Sequence, residues 1–347
     1  MSVQITSEQV NTPCGVFTLY TLMNSRGAYV KLSPVGAGIV SVVVPDNKGK
    51  LADVVLGYEH IEDYFHDGPC AGKVPGRYAN RIARGDLVIE GKQYQLAVNN
   101  GPNALHGGPE GFQNKVWNSR IDDNAVEFTL VSPDGDEHYP GTLTVTARYT
   151  WTDDCRLTLC IKAQSDATTA INLTNHTYWN LGGHDSGTAL NHTLQLNASR
   201  YLPTDDTLIP TGEQAPVAGT PMDFTSPKRL GQDINADFDA LRFGKGYDNC
   251  WVVDGDGGCV WHAHLVDPDS GRRLTVCSDQ PGVQVYTGNW LNGSPEGKGG
   301  CVYHDYDAVA IECQGFPDAP HHPSFPRQIF NAGEEYCRTI VFDFDTV

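Results

Sequence analysis

The sequence has no long apolar run, no basic surplus, no paired-cysteine motif and little helical periodicity, and each shortage removes a class of function. No stretch approaches the roughly 18 apolar residues of a membrane-spanning helix. Lys and Arg number 24 against 42 Asp and Glu, a formal net charge of −18. Such a surface does not neutralise phosphates, so no nucleic-acid partner is expected, and an uncharged small ligand suits it better. The ten cysteines are scattered, with no CxxC pair and no zinc-ligand spacing. The opening MSVQITSEQVNTPCG carries neither the basic nor the apolar region of a secretory signal, so reduced thiols and a cytoplasmic location are expected. No GxSxG elbow occurs, and the glycine-rich runs at 255–258 and 297–300 lack the context of a phosphate loop. His321 and His322 are adjacent in an extended, proline-bracketed segment and should point apart, so neither a metal nor any other cofactor is expected.

What the chain does have is strand alternation. Leu143, Val145, Ala147, Tyr149 and Trp151 fall on one face of 141–151, and Thr144, Thr146, Arg148 and Thr150 on the other. Leu157, Leu159, Ile161 and Ala163 repeat the pattern after a hairpin loop at 152–155. Further strands are expected at 28–33, 38–45, 87–90, 125–131, 192–197, 260–266, 273–278, 282–287, 307–312 and 338–344. Residues 58–66 suggest a short helix and 226–234 a turn of one. The 37 glycines and 21 prolines punctuate these runs without a linker or repeat. The pattern predicts an all-β fold, a large antiparallel β-sandwich formed by residues 1–347 as a single domain.

Four polar clusters interrupt the strands. GRYANRIARG (76–85) sets Asn80 and Arg81 among arginines in an acidic chain; turned inward, a guanidinium with five donors suits developing negative charge on oxygen. NNGPNALHGG (99–108) holds His106 before two glycines. INLTNHTYWNLGG (171–183) begins as a strand and delivers His176 beside Tyr178 and Trp179. In AIECQGFPDAPHHPSFP (310–326) an apolar run leads into Glu312, whose burial would raise its pKa toward that of a general base. Each stretch alone also fits a bland reading: solvated loop, turn histidine, core histidine. Together, two histidines, a carboxylate, an amide–guanidinium pair and aromatic rings suggest a site for a neutral polyhydroxyl ligand.

GRYANRIARG, NALHGGPEGF, NLTNHTYWNL, GYDNCW, QVYTGN (284–289) and AIECQGFPDAPHHPSFP resemble, in order, the motifs of the aldose 1-epimerase (galactose mutarotase) family, from about residue 10 to the C-terminus. The resemblance implies a β-supersandwich with an open cleft, no cofactor, and interconversion of the α and β anomers of a free hexose such as D-galactose or D-glucose. It places the catalytic carboxylate on Glu312 and the catalytic histidine on His176. Arg81, Asn80, His106, Asp248 and Tyr178 fall on substrate-binding positions. It implies an aldose as the small-molecule partner, no nucleic acid or membrane, and a monomer or homodimer. A protonated His176 near neutral pH is expected, favoured by a nearby carboxylate. Pro75 and Gly315 depart from the family pattern and bear on sugar preference. Two other readings remain: a hexose-6-phosphate 1-epimerase, with Arg77, Arg84 and Lys73 as a phosphate grip, or a catalytically silent sugar-binding β-sandwich.

Overall fold

The computed structural model describes residues 3–255 and 257–347. Two antiparallel sheets dominate it. A nine-stranded sheet runs in the order Asn118–Asp122, Ala125–Ser132, Leu143–Trp151, Arg156–Ser165, Glu335–Thr346, Arg272–Ser278, Val260–Val266, Thr193–Leu196 and Lys228–Arg229. A six-stranded sheet runs Tyr178–Trp179, Val309–Gln314, Gly282–Tyr286, Asp248–Val252, Arg200–Tyr201 and Ala215–Pro216. The first five strands, Gln4–Thr12 through Leu51–Asp53, form a third sheet of consecutive neighbours.

Period-2 alternation decides what the sheets bury. Leu143, Val145, Ala147, Tyr149 and Trp151 are buried, and they join Leu157, Leu159, Ile161, Leu274, Val276 and Phe342 in one core cluster. The six-stranded sheet contributes Val309, Ile311 and Cys313, with Val283, Val285, Trp251 and Trp179, to the same cluster. This is an all-β sandwich. The opposite face of the six-stranded sheet is covered only in part. Ala310 and Tyr178 join a small apolar cluster with Leu56, Tyr58 and Tyr64, and Cys250 and Val252 join another with Phe316 and Phe325.

Several sequence expectations need correction. The strands at 4–12 and 15–23 were not foreseen; they pair as a hairpin, and the first carries polar residues on both faces, so there is no alternation to read. Residues 58–66 hold only a 3-10 turn at Ile61–Tyr64. In 226–234 there is a short strand, Lys228–Arg229, rather than a helical turn; the α-helix is Asp239–Gly244, too short for a periodic signature. Residues 171–177 form no continuous ladder: Asn172 makes one isolated parallel bridge to Tyr78, and side chains supply further bonds. Asn172 donates to Gly315 O (3.3 Å) and accepts from Gly315 N (2.8 Å), while Thr174 Oγ1 donates to Cys313 O (2.7 Å). Asn and Thr side chains compete with strand pairing in this way.

Candidate active site

The floor of the site is set by register on the partly covered face of the six-stranded sheet. Tyr178 pairs with Ala310, Ala310 with Tyr286, and Tyr286 with Asp248. One row along, Glu312 pairs with Gln284 and Gln284 with Cys250. Antiparallel extension of the Tyr178–Ala310 pair would put residue 176 opposite Glu312. The chain has already left the ladder there: His176 N donates to Lys73 O and His176 O accepts from Gly72 N, both 2.9 Å. Its side chain still faces Glu312, with Nε2 3.4 Å from Oε1. Trp179, next along, points the other way into the core against Phe342 and Phe344 (ring centroids 5.1 and 5.5 Å). Of the two aromatic residues after His176, Tyr178 therefore walls the site and Trp179 does not.

A second wall comes from the short pair Arg81–Ile82 and Ala104–Leu105. Asn80 and His106 both adopt left-handed φ, 65° and 52°. Their backbones meet, His106 N donating to Asn80 O at 3.1 Å. Asn80 N in turn donates to His106 Nδ1 at 3.1 Å, which leaves the ring proton of neutral His106 on Nε2. The His106 ring stands edge-on to His176, centroids 5.4 Å apart. Arg81 is held by Nε donating to Asn100 Oδ1 (3.1 Å) and by Nη2 lying 3.5 Å from Asp248 Oδ2. Asp248 Oδ1 accepts from Gln284 Nε2 at 2.6 Å.

All seven residues expected at the site, Asn80, Arg81, His106, His176, Tyr178, Asp248 and Glu312, line one cleft of about 540 Å³. The cleft also takes in Tyr286, Phe243, Trp290 and Asn100, which the sequence reading did not single out. Gln284, buried beside Asp248 and Glu312, was missed as well. A signal for it existed: a glutamine two positions from Tyr286 in an otherwise apolar strand. Neither Pro75 nor Gly315 lines the cleft.

Burial governs the electrostatics. Glu312 is 2% exposed, and desolvation, reinforced by Asp248 and opposed by Arg81, raises its pKa well above the usual carboxylate range. His176 is also buried, and desolvation, with a smaller push from Lys73, lowers its pKa. The expected imidazolium is therefore not the resting form. A carboxylate would favour it, but burial shifts Glu312 toward its neutral form as well, which weakens that attraction. His106 is lowered well below its ordinary value by burial, then by His176 and Arg81.

The suggested phosphate grip is not assembled. Arg77 is buried, donating to Ser132 Oγ (2.7 Å), Pro140 O (2.8 Å) and Gly141 O (2.9 Å). Lys73 is sealed against Asp67, and Arg84 lies outside the cleft. His321 and His322 approach Asp318 at 2.6 and 3.4 Å.

The sequence profile of the aldose 1-epimerase family matches residues 18–343. The chain is 43% identical over 309 residues to galactose mutarotase of Bos taurus, covering 89% of each chain. It is 38% identical to aldose 1-epimerase of Escherichia coli K12, over 94% of this chain and 95% of that one. The structure of galactose 1-epimerase from Lactobacillus acidophilus superimposes with a TM-score of 0.86 at 30% identity, covering 99% of both chains. An aldose epimerase homologue from C. elegans gives 0.87 at 31% identity, over 99% of this chain and 100% of that one. The buried acid–base pair, the cleft above it and the sheet that carries both thus sit in a chain that belongs to the aldose 1-epimerase family, isomerases acting on carbohydrates.

Proposed function

We propose that the chain, acting as one catalytic unit, interconverts the α and β anomers of a free aldose such as D-galactose or D-glucose, with Glu312 and His176 exchanging the protons. The supporting observation is their juxtaposition, Nε2 to Oε1 3.4 Å, both buried at the floor of an open cleft. The two oxygens of a hemiacetal share one carbon, so its acid and base must be close neighbours. A proton passing from Glu312 to His176 would create carboxylate and imidazolium without changing the net charge of the pair. Sugar oxygens hydrogen-bonded to both favour that charged form. The carboxylate takes the proton of the C1 hydroxyl while the imidazolium protonates the ring oxygen. The C1–O bond of the ring breaks with its electrons going to the ring oxygen, and an aldehyde forms. Half a turn about C1–C2 presents the other carbonyl face, and the reverse transfers close the ring. Each positioned proton transfer contributes about 10²–10⁴-fold.

Arg81 and His106 hold neighbouring oxygens as charge develops, Asp248 accepts from a ring hydroxyl, Asn80 orients His106, and Tyr178 packs against the sugar's C–H face. A cytoplasmic location suits the free thiols; no helix among the described residues is long and apolar enough to cross a membrane. Polarimetric decay of freshly dissolved α-anomers across a panel of aldoses, with glucose 6-phosphate alongside, tests this reading. Accelerated exchange for the free hexoses and little for the phosphate is expected. Binding without acceleration would instead favour a silent sugar-binding domain.

A further inference from the structure

The loop that follows the Glu312 strand turns back and grips the Arg81 strand. Asp318 is the residue at which it does so. An aspartate immediately before a helical turn ordinarily caps that turn with its own side chain. Here Asp318 precedes the 3-10 turn Ala319–His321 and makes no such capping bond. Its Oδ1 instead accepts from Ala83 N at 2.8 Å, and its own N–H donates to Arg81 O at 2.9 Å. The two bonds straddle Ile82. Asp318 makes them from a left-handed φ of 54°. The residue is 1% exposed, and it does not line the cleft.

We infer that Asp318 is a positioning residue for Arg81: it clamps the backbone on both sides of Ile82, ties that strand to the loop leaving Glu312, and so fixes where the Arg81 guanidinium stands over the reacting carbon. The inference rests on the proposed role of Arg81 in holding the sugar. A buried carboxylate is expensive unless it is paired, and the loop supplies the partners itself, with His321 Nδ1 at 2.6 Å from Oδ1 and His322 Nε2 at 3.4 Å from Oδ2. The Asp318 hydrogen bond is the main cause of a raised His321 pKa. The loop is braced from below by Tyr78, whose hydroxyl donates to Phe316 O (2.9 Å) and accepts from Ala319 N (3.2 Å). The clamp joins the two halves of the site, which come from distant parts of the chain.

A double-mutant cycle in kcat/KM decides the matter. Asp318→Ala in the otherwise unchanged protein is expected to lower kcat/KM about 10- to 100-fold, as a misplaced positioning group does. In an Arg81→Ala background the same substitution should change kcat/KM less than about twofold, because the group it positions is gone. Asp318→Asn keeps an oxygen for Ala83 N–H and should recover most of the loss; where the alanine variant does not fold, the cycle is run with Asp318→Gly, which suits the left-handed backbone and lacks the acceptor oxygen. An equal fold-loss in both backgrounds, or no loss in either, overturns the inference while leaving the cleft assignment standing. Near-normal activity of Arg81→Ala alone overturns the role of Arg81 itself, and the clamp with it.

Discussion

Replacing Glu312 by glutamine separates its chemistry from its packing. The substitution keeps shape and volume but removes the carboxylate that the proposed mechanism uses as its base. With a positioned proton transfer worth about 10²–10⁴-fold, the loss in kcat is expected in that range, roughly 3–5 kcal/mol on the barrier. Stability should move the other way. Burial raises the Glu312 pKa in the folded state. The stabilisation this gives is fully present below the unfolded value of about 4.3 and is lost as pH rises through the folded pKa. Glutamine does not titrate, so its stability relative to glutamate should improve with pH above about 4.3. Oε2 of Glu312 is buried with no hydrogen-bond partner among the described residues, so the amide breaks no contact seen on that side. The assay is anomer exchange by polarimetry, with denaturation curves at pH 5 and pH 8. A rate within tenfold of the unchanged protein would remove Glu312 as the base. A variant less stable at pH 8 than at pH 5, relative to the parent, would refute the account of its burial.

Two other substitutions probe groups outside the cleft. His192 Nε2 accepts from Leu181 N at 2.9 Å, and burial pushes its pKa down to about 4, against weaker opposition from Asp267. Its stabilisation is present above about pH 6.5 and lost as pH falls through 4, a difference approaching about 3 kcal/mol. His192→Gln should flatten that part of the acid denaturation profile, and an unchanged profile would contradict this. Arg77→Met strips several buried carbonyl and hydroxyl acceptors of their donor and should destabilise by about 3 kcal/mol or more. Discrimination between glucose and glucose 6-phosphate should be untouched in the folded fraction; a changed ratio would return Arg77 to the site.

The sequence by itself determined the class of fold and the identity of the main cleft residues. Alternation at 141–151 and 156–163 is a local property, and each strand's core face follows from it without knowledge of its neighbours. The motifs around Arg81, His106, His176, Asp248 and Glu312 are local as well. Tertiary structure decided everything that depends on what lies across the fold. The protonation of the acid–base pair is one case: a neighbouring carboxylate argues for an imidazolium, but burial is a sum over surrounding atoms and reverses the outcome. Gln284 is another, since only strand register puts it opposite Glu312, and only the fold brings its amide to Asp248. Arg77 and Lys73 looked free because a cation in an acidic chain has no visible partner until the chain folds around it. Asp318 was not singled out in the sequence, because the strand segment it holds lies 235 residues away, beyond the reach of any local pattern.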